Sequence, residues 1–201
     1  MNKTLENWLK DTARPFLTKG RGGDWDHTLR AVEYGRYLLE HEEGDDNIVI
    51  PALYLHDIGW SQVDFQDFLQ ASPGQKVDTP SLASHMRVGA SLAGKILRDY
   101  GWDPVKTLVI VEIIAIHDEP DRVSAMENPS ANLVVEADRL DRFGPESVKR
   151  YNALFGEDVY LMGRHRDEST AYLQDGMRRW FKTKTARALA EKLRRETGIS
   201  D

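Results

Sequence analysis

Residues 79–117 read TPSLASHMRVGASLAGKILRDYGWDPVKTLVIVEIIAIH, and their pattern decides the fold class. Thr79-Pro80 and Asp103-Pro104 each place a capping residue before a proline, which is a start signal for a helix. Apolar residues then recur at helical spacing through both stretches. The buried stripe predicted for the second stretch consists of Val105, Leu108, Val109, Ile113 and Ile116. We therefore predict two consecutive helices, the second of which ends at His117.

Helical spacing also runs through the rest of the chain, whereas alternating runs of β-branched and aromatic residues bounded by hairpin turns are missing. A first helix is predicted to end at the glycine-rich residues 20–23, and a second to begin near Asp26 as its N-cap. A third is predicted from about Asn47 to His56, with Gly59 as its stop signal. This pattern predicts an all-α protein.

The remaining segments complete a single-domain helical bundle. Residues 61–78 are mixed in character and are predicted to form a loop or lid insertion. Another helix is predicted from about Ser130 to Phe143. The motifs lie within about residues 24–150, and residues 151–201 are predicted to add C-terminal helices to the same domain.

The composition narrows the class of protein. The chain has 201 residues, of which 40% are hydrophobic and 30% charged, and these values are ordinary for one globular domain. Because cysteine is absent, a disulfide framework, a thiolate zinc site and a cysteine nucleophile are excluded. No apolar segment of the signal-peptide or membrane-spanning kind is present. We therefore expect a cytoplasmic protein that does not bind membranes.

The charge of the chain bears on its partners. The formal net charge is -6 at pH 7. Binding to the phosphate backbone of a nucleic acid polymer needs a clustered positive field, which argues against such a partner. A small phosphorylated substrate needs only a bound cation and a few local Lys or Arg groups. Such a substrate is the expected partner, and a homodimer is among the assemblies that the sequence leaves open.

Histidines and aspartates supply the candidate metal ligands. Helix bundles build metal sites from side chains that several helices direct to one point. Asp57 follows His56 directly, and Asp138 lies on the helix predicted after residue 130. Imidazole and carboxylate ligands suit Mn, Fe, Co, Ni or Zn, with Mg as a further alternative. Four histidines lie at the ends or inner faces of different predicted helices, namely His27, His56, His85 and His117.

Three other residues near these ligands carry weaker signals. Trp25 and Trp60 flank the ligands in sequence, and they either line a pocket for a base or belong to the core. Glu112 falls on the predicted apolar stripe, where an unpaired carboxylate would be costly. We therefore predict a buried partner for Glu112, such as an arginine.

The order of these motifs resembles a known family. His27, His56-Asp57 and Asp138 follow one another as in the pattern that names the HD superfamily. His56-Asp57-Ile58-Gly59 is similar to one of the commonest forms of that pattern. More narrowly, residues 24–32 (DWDHTLRAV) and 137–141 (ADRLD) resemble motifs of small bacterial HD hydrolases. The resemblance spans about residues 24–150, and Gly144 and Arg150 could fill the positions of a Gly and an Arg that usually follow in the subgroup. The composition of residues 142–147 (RFGPES) departs from the more apolar run of the subgroup.

The resemblance implies a fold of the HD-domain type and a metal-dependent activity. Members of the superfamily mostly hydrolyse phosphoester or phosphoanhydride bonds, and some relatives act on nucleotides. When two further histidines are present, as here, relatives often bind a second metal, with the Asp of the His-Asp pair bridging the two. By resemblance the first metal is held by His27, His56, Asp57 and Asp138, and the second by His85, His117 and Asp57.

A metal-dependent phosphohydrolase needs few protein groups besides the ligands. A bound cation lowers the pKa of coordinated water and neutralises phosphoryl oxygens, so no protein nucleophile is required. Asp57 is the predicted shared catalytic ligand. Asp141 lies one turn beyond Asp138 and is predicted either to orient a ligand or accept a proton, or to form an intrahelical ion pair. Candidate cations for the phosphate oxygens are Arg30, Lys76, Arg139 and Arg150.

Two other functions stay open at this point. Some HD relatives with the same six ligands activate dioxygen, so a di-iron oxygenase is the first alternative. A non-catalytic regulator that binds a nucleotide or a metal is the second. The leading hypothesis is a phosphohydrolase that acts on a nucleotide-like small molecule with one or two divalent transition metal ions.

Overall fold

The computed structural model describes residues 3–71, 79–147, 149–150 and 166–196. Its regular secondary structure in these ranges is helical throughout, which confirms the all-α class. A 3-10 turn covers Ile58–Gln62. The α-helices are α1 (Lys3–Lys19), α2 (Asp24–Leu39), α3 (Asp46–Leu55), α4 (Gln66–Gln70), α5 (Pro80–Tyr100), α6 (Pro104–Ile116), α7 (Pro120–Ser124), α8 (Pro129–Leu140), α9 (Arg166–Arg179) and α10 (Lys184–Glu196).

Local start signals place α5 and α6 where the sequence predicts them. The Asp103 side chain accepts a hydrogen bond from the Lys106 backbone N–H, and Pro104 occupies the first turn of α6. Pro80 likewise occupies the first turn of α5. This helix ends at Gly101, which has the left-handed conformation (φ +82°). The two helices pack against each other across the short connection at residues 101–103.

The buried face of α6 differs from the prediction. Val105 and Leu108 are 71% and 70% exposed, and Glu112 is exposed as well, so the predicted buried partner for Glu112 is wrong. The helix is apolar on nearly every side, and apolar spacing alone therefore could not select the inner face. Contacts with α3 and α5 select it instead. The residues that α6 buries are Thr107, Ile110, Ile113, Ile114 and Ile116.

Helix α3 is the centre of the bundle. Every residue from Ile48 to Leu55 is buried, and α3 packs against α1, α2, α6 and α8. Asp45 caps its start by accepting a hydrogen bond from the Asn47 backbone N–H. Because this helix is surrounded, the residues directly after it, His56 and Asp57, are delivered to the interior of the protein.

Two element boundaries near the motifs also differ from the predictions. Helix α2 begins at Asp24 rather than near Asp26, after Gly23 in the left-handed conformation (φ +85°). Gly59 does not stop α3, which ends at Leu55; it lies in the 3-10 turn instead. A Cβ atom on Gly59 would come within 2.0 Å of the His85 carbonyl oxygen. Glycine at this position therefore allows the turn to approach the backbone of α5.

The last helix, α10, attaches to the bundle through α8. Helix α10 packs against α8, and the buried Glu136 on α8 accepts hydrogen bonds from the backbone N–H groups of Lys182 (2.5 Å) and Thr183 (2.7 Å). The Thr183 hydroxyl donates to the same carboxylate at 2.8 Å. Among the described residues, no helix is both long enough and apolar enough to span a bilayer.

Candidate metal centre

The carboxylate of Asp57 lies between two pairs of imidazoles. Its Oδ2 atom is 3.4 Å from His56 Nε2 and 3.7 Å from His27 Nε2. Its Oδ1 atom is 3.5 Å from His85 Nε2 and 3.7 Å from His117 Nε2. The two oxygens therefore face different histidine pairs, so that one carboxylate can contribute to two neighbouring cation sites. We call these half-site A (His27, His56, Asp57 Oδ2 and Asp138) and half-site B (His85, His117, Asp57 Oδ1 and Asp118).

Half-site A joins α2, the end of α3 and α8. Asp138 Oδ1 lies 3.1 Å from His27 Nε2 and 3.7 Å from His56 Nε2. The Nε2 atoms of the two histidines are 3.3 Å apart. All these side chains are buried. The four ligands predicted for a first metal thus lie together.

Half-site B joins α5 and the residues that follow α6. The Nε2 atoms of His85 and His117 are 3.3 Å apart. Asp118 Oδ2 lies 3.5 Å from His85 Nε2 and 3.9 Å from His117 Nε2. Asp118 is not among the predicted ligands. The available signal was the dipeptide His117-Asp118, which repeats the residue types of His56-Asp57.

Three of the four imidazoles are oriented by a hydrogen bond on the nitrogen that faces away from Asp57. A proton on Nδ1 leaves the lone pair of Nε2 directed at the centre, as metal coordination requires. The tautomer is assigned from these contacts. The partners of the Nδ1 atoms are Asp141 Oδ2 for His27 (2.7 Å), the Leu53 carbonyl for His56 (2.7 Å) and the Ile114 carbonyl for His117 (2.8 Å).

His85 is held differently. Its buried Nδ1 has no hydrogen-bond partner among the described residues. Its ring instead stacks on the ring of Trp60, which is buried and therefore belongs to the core as well as to the site. Burial lowers the pKa of His85 to about 3, so the imidazole is neutral at neutral pH and can act as a ligand.

The pKa values of Asp57 and Asp138 are lowered, so these two carboxylates are ionised at neutral pH. Burial by itself raises the pKa of Asp57, but His56 and Arg21 outweigh it and hold that pKa well below its usual range. The pKa of Asp138 is likewise lowered, because the hydrogen bond from His27 and the charge of His56 outweigh burial. Burial by itself would lower the pKa of His117, but the neighbouring Asp118 and Asp57 outweigh burial and raise this pKa to about 9. The centre thus concentrates negative charge that protons or cations must balance.

The residues present fit one or two divalent cations. Among the described residues, three overlapping groups of side chains could each hold a cation, because the ligand atoms within each group lie within 4.8 Å of one another. The donors are imidazole nitrogens and carboxylate oxygens, which suit borderline divalent metals. The buried Oδ2 of Asp138 has no hydrogen-bond partner among the described residues, and a cation would satisfy it. The three groups are His27/His56/Asp138, His56/Asp57/His117 and His85/His117/Asp118.

Asp141 takes part in orientation. It accepts a hydrogen bond from His27 Nδ1 and a second from Arg30 Nε at 2.5 Å. The ion pair therefore joins Asp141 at the end of α8 to Arg30 on α2 and is not intrahelical. Arg30 is held at Asp141, outside the lining of the cleft, which does not support its predicted role in binding phosphate.

The other predicted phosphate-binding cations have different surroundings. Arg139 is only 2% exposed, and its Nη2 atom donates to Asp118 Oδ1 at 2.5 Å, so it holds a candidate ligand rather than lining the cleft. Arg150 does line the cleft and pairs with Asp24 at 2.6 Å. Lys76 lies outside the described residues.

A cleft opens onto the metal centre. It encloses about 550 Å³ of space, including its open mouth. Arg21 and Arg142 line it but are not among the predicted site residues, and Ser147 and Phe68 also contribute. Arg21 was interpreted from the sequence only as part of a glycine-rich helix end. Its position beside the ligands depends on contacts with residues far away in the chain.

Comparison with known proteins assigns the family. No curated protein and no solved structure matches the chain significantly. The family model described as HD domain matches residues 24–142, which is more than half of the chain and contains all the ligands of both half-sites. The chain therefore belongs to the HD domain family.

Proposed function

We propose that the protein is a metal-dependent phosphohydrolase that cleaves a phosphoester or phosphoanhydride bond in a small, nucleotide-like molecule. HD domains are a superfamily of mainly metal-dependent hydrolases, and this membership supports the general class. The observation that carries the proposal is the composition of the cleft. Carboxylates and imidazoles from both half-sites line the cleft, together with the guanidinium groups of Arg21, Arg142 and Arg150.

The ligands of the two half-sites would hold the cations. His27, His56 and Asp138 would bind one ion, and His85, His117 and Asp118 a second, with Asp57 shared between them. When bound, divalent cations supply a water-derived nucleophile near neutral pH and neutralise phosphoryl oxygens. No nucleophilic side chain is required for this chemistry.

The chain's own residues would bind and orient the substrate. Arg21, Arg142 and Arg150 line the cleft, and guanidinium groups offer paired donors that match phosphate oxygens. Asp141 fixes the ring of His27 through Nδ1. Phe68 lies at the cleft and provides an apolar surface for a nucleobase. The nucleotide-like class rests on this surface and on the resemblance to nucleotide-cleaving relatives.

A metal analysis followed by a substrate panel tests the proposal. Protein purified without added metal is first analysed for Mn, Fe, Co, Ni and Zn. Release of phosphate or pyrophosphate is then measured for nucleoside mono-, di- and triphosphates with each metal and with Mg. Asp57→Ala and Asp138→Ala should abolish turnover, whereas Asp99→Ala, at an exposed ion pair, should not. If neither phosphate nor pyrophosphate is released from any substrate with any of the metals, the proposal is refuted.

A di-iron oxygenase is the second candidate. It is favoured by the position of Asp57, whose two oxygens face separate histidine pairs as a bridging ligand would. Iron retained through purification, a mixed-valent electron paramagnetic resonance signal and oxygen uptake would favour it over hydrolysis. Tight nucleotide or metal binding without turnover would instead identify a regulator. A homodimer, which the sequence leaves open, is tested separately by analytical ultracentrifugation.

A further inference from the structure

Arg21 connects the loop before α2 to half-site A. Its Nη2 atom lies 2.7 Å from Asp57 Oδ2, the oxygen that faces His27 and His56. The same guanidinium donates through Nε to Asp24 Oδ1 at 3.1 Å. Its Nη2 atom is also 3.0 Å from Asp24 Oδ1. The guanidinium therefore lies between a candidate metal ligand, Asp57, and a carboxylate that is not a ligand, Asp24.

Asp24 is a fixed anchor for this arm. It is fully buried and accepts a hydrogen bond from the Arg21 backbone N–H at 2.7 Å and another from Arg150 at 2.6 Å. The loop that allows this geometry is rich in glycine. A Cβ atom on Gly20 would lie 2.8 Å from Asp24 Oδ2, and Gly23 has a φ of +85°. The anchor thus brings two arginines to one side of the cleft.

The aromatic rings of Trp60 and Phe68 allow the Arg21 guanidinium to move while it stays in contact with them. It lies 4.2 Å from the ring centroid of Trp60 and 5.4 Å from that of Phe68. Aromatic faces attract a guanidinium without demanding one set of hydrogen bonds. Only Nη2 contacts Asp57, so this contact can break while the backbone and Nε contacts with Asp24 remain.

We propose that Arg21 is a phosphate-binding residue that is released by a cation at half-site A. A divalent cation held by His27, His56, Asp57 and Asp138 would compete with the Arg21 guanidinium for the Asp57 carboxylate, because the two positive charges repel each other. Nη2 would keep its contact with Asp24, and the hydrogen that Asp57 had accepted would be available to a phosphate oxygen in the cleft beside Arg150. Metal binding thus completes the anion site. This inference rests on the proposed function, because it assigns Arg21 to the phosphorylated substrate.

The coupling predicts opposite effects of one substitution on two ligands. Arg21→Gln removes the charge that competes with the cation, so metal should bind about fivefold or more tightly than in the native protein. Inorganic phosphate should bind about tenfold more weakly to metal-loaded Arg21→Gln, because a charged donor is lost. Without metal the substitution should leave phosphate binding unchanged, since Arg21 is then engaged with Asp57.

Isothermal titration calorimetry provides both measurements without turnover. The native protein, Arg21→Gln, Arg21→Lys and Arg14→Gln are titrated with Mn²⁺, Co²⁺ and Zn²⁺ and then with inorganic phosphate. Arg14→Gln is the matched control, because Arg14 is exposed and contacts Trp25 rather than the cleft. It should leave both affinities at native values. Arg21→Lys retains the charge, so it should keep the native metal affinity and lose phosphate affinity.

Three results would overturn the inference. Metal affinity that is unchanged or weaker in Arg21→Gln would show that Arg21 does not compete with the cation. Phosphate affinity that falls equally with and without metal would exclude release. If none of the three metals binds, phosphate binding cannot be coupled to metal binding, and the inference fails. If circular dichroism shows that Arg21→Gln does not fold, the inference is tested with Arg21→Lys. A native phosphate affinity in metal-loaded Arg21→Lys would then contradict it. A failed substrate panel refutes the proposed hydrolase and leaves these binding results standing.

Discussion

The indole ring of Trp60 stacks on the imidazole of His85, with ring centroids 4.0 Å apart and planes 12° from parallel. The same indole donates a hydrogen bond through Nε1 to Asp57 Oδ1 at 3.1 Å. One side chain therefore positions a ligand of half-site B and the shared carboxylate at once. The stacking on Trp60 orients His85, whose Nδ1 has no hydrogen-bond partner in the part of the chain that the structure describes.

Trp60→Leu should remove the second metal and retain the first. Without the stack, His85 loses its orienting contact, whereas His27 and His56 keep their Nδ1 partners. We expect two metals per chain in the native protein and one in the variant, by metal analysis after dialysis. Trp60→Phe, which keeps an aromatic face, should bind more of the second metal than Trp60→Leu does. Equal stoichiometry in all three proteins would exclude this role.

Asp141→Ala should weaken metal binding at half-site A. The substitution removes the acceptor for His27 Nδ1 and leaves Arg30 without its carboxylate. Loss of such an orienting partner typically costs about 10- to 100-fold in metal affinity. Calorimetric titration with Mn²⁺ measures the change, and Asp121→Ala, at an exposed ion pair with Arg179, serves as the control. An unchanged dissociation constant would show that His27 needs no such partner.

Arg139→Gln should destabilise the fold rather than merely weaken substrate binding. Arg139 is buried and pairs with Asp118, and breaking a buried ion pair typically costs about 3 to 5 kcal/mol. Urea denaturation of the metal-free protein measures the free energy of unfolding. A variant of native stability with only a raised KM would instead support the phosphate-binding role predicted from the sequence.

Glu136→Ala should detach the C-terminal helix α10 from α8. The substitution removes the acceptor of the backbone N–H groups of Lys182 and Thr183, and the loss of each hydrogen bond costs about 0.5 to 1.5 kcal/mol. Hydrogen exchange should show faster exchange in α10 and little change in α3. Uniform acceleration through the whole bundle would show instead that α10 and the core unfold together.

Metal removal should lower the melting temperature. A cation at about a hundred times its dissociation constant stabilises the native state by about 2.7 kcal/mol. For a chain of this size, each kcal/mol shifts the melting temperature by about 2 to 4 °C. Scanning calorimetry with and without EDTA should show this difference in the native protein and a smaller one in Asp138→Ala, which retains the ligands of half-site B. A melting temperature independent of metal in the native protein would contradict the site.

Linear motifs contained most of the information about the ligands. His56 and Asp57 are adjacent, and His27 and Asp138 precede and follow them in a fixed order, so the resemblance to HD domains was visible without a structure. The start of α6 at Asp103-Pro104 was equally local, because a capping residue and a proline act within one helical turn.

Residues whose roles depend on contacts with distant parts of the chain have no comparable local motif in the sequence. Arg21 contacts Asp57 from 36 positions away, and Arg139 contacts Asp118 from 21. Gly59 was interpreted as a helix stop, yet its role is the close approach of its turn to the backbone at His85. A single sequence does not encode these distances, because each depends on how two helices pack.

The sequence by itself determined the helical class, the order of the metal-binding motifs and the exclusion of thiolate ligands, since these follow from residue identity and short-range spacing. Only the tertiary structure decided which side of the apolar helix α6 is buried, that Asp118 joins half-site B, and that Arg21 rather than Arg30 lines the cleft. The physical reason is that burial and ion pairing are properties of packed surfaces, and those surfaces form only when distant helices meet.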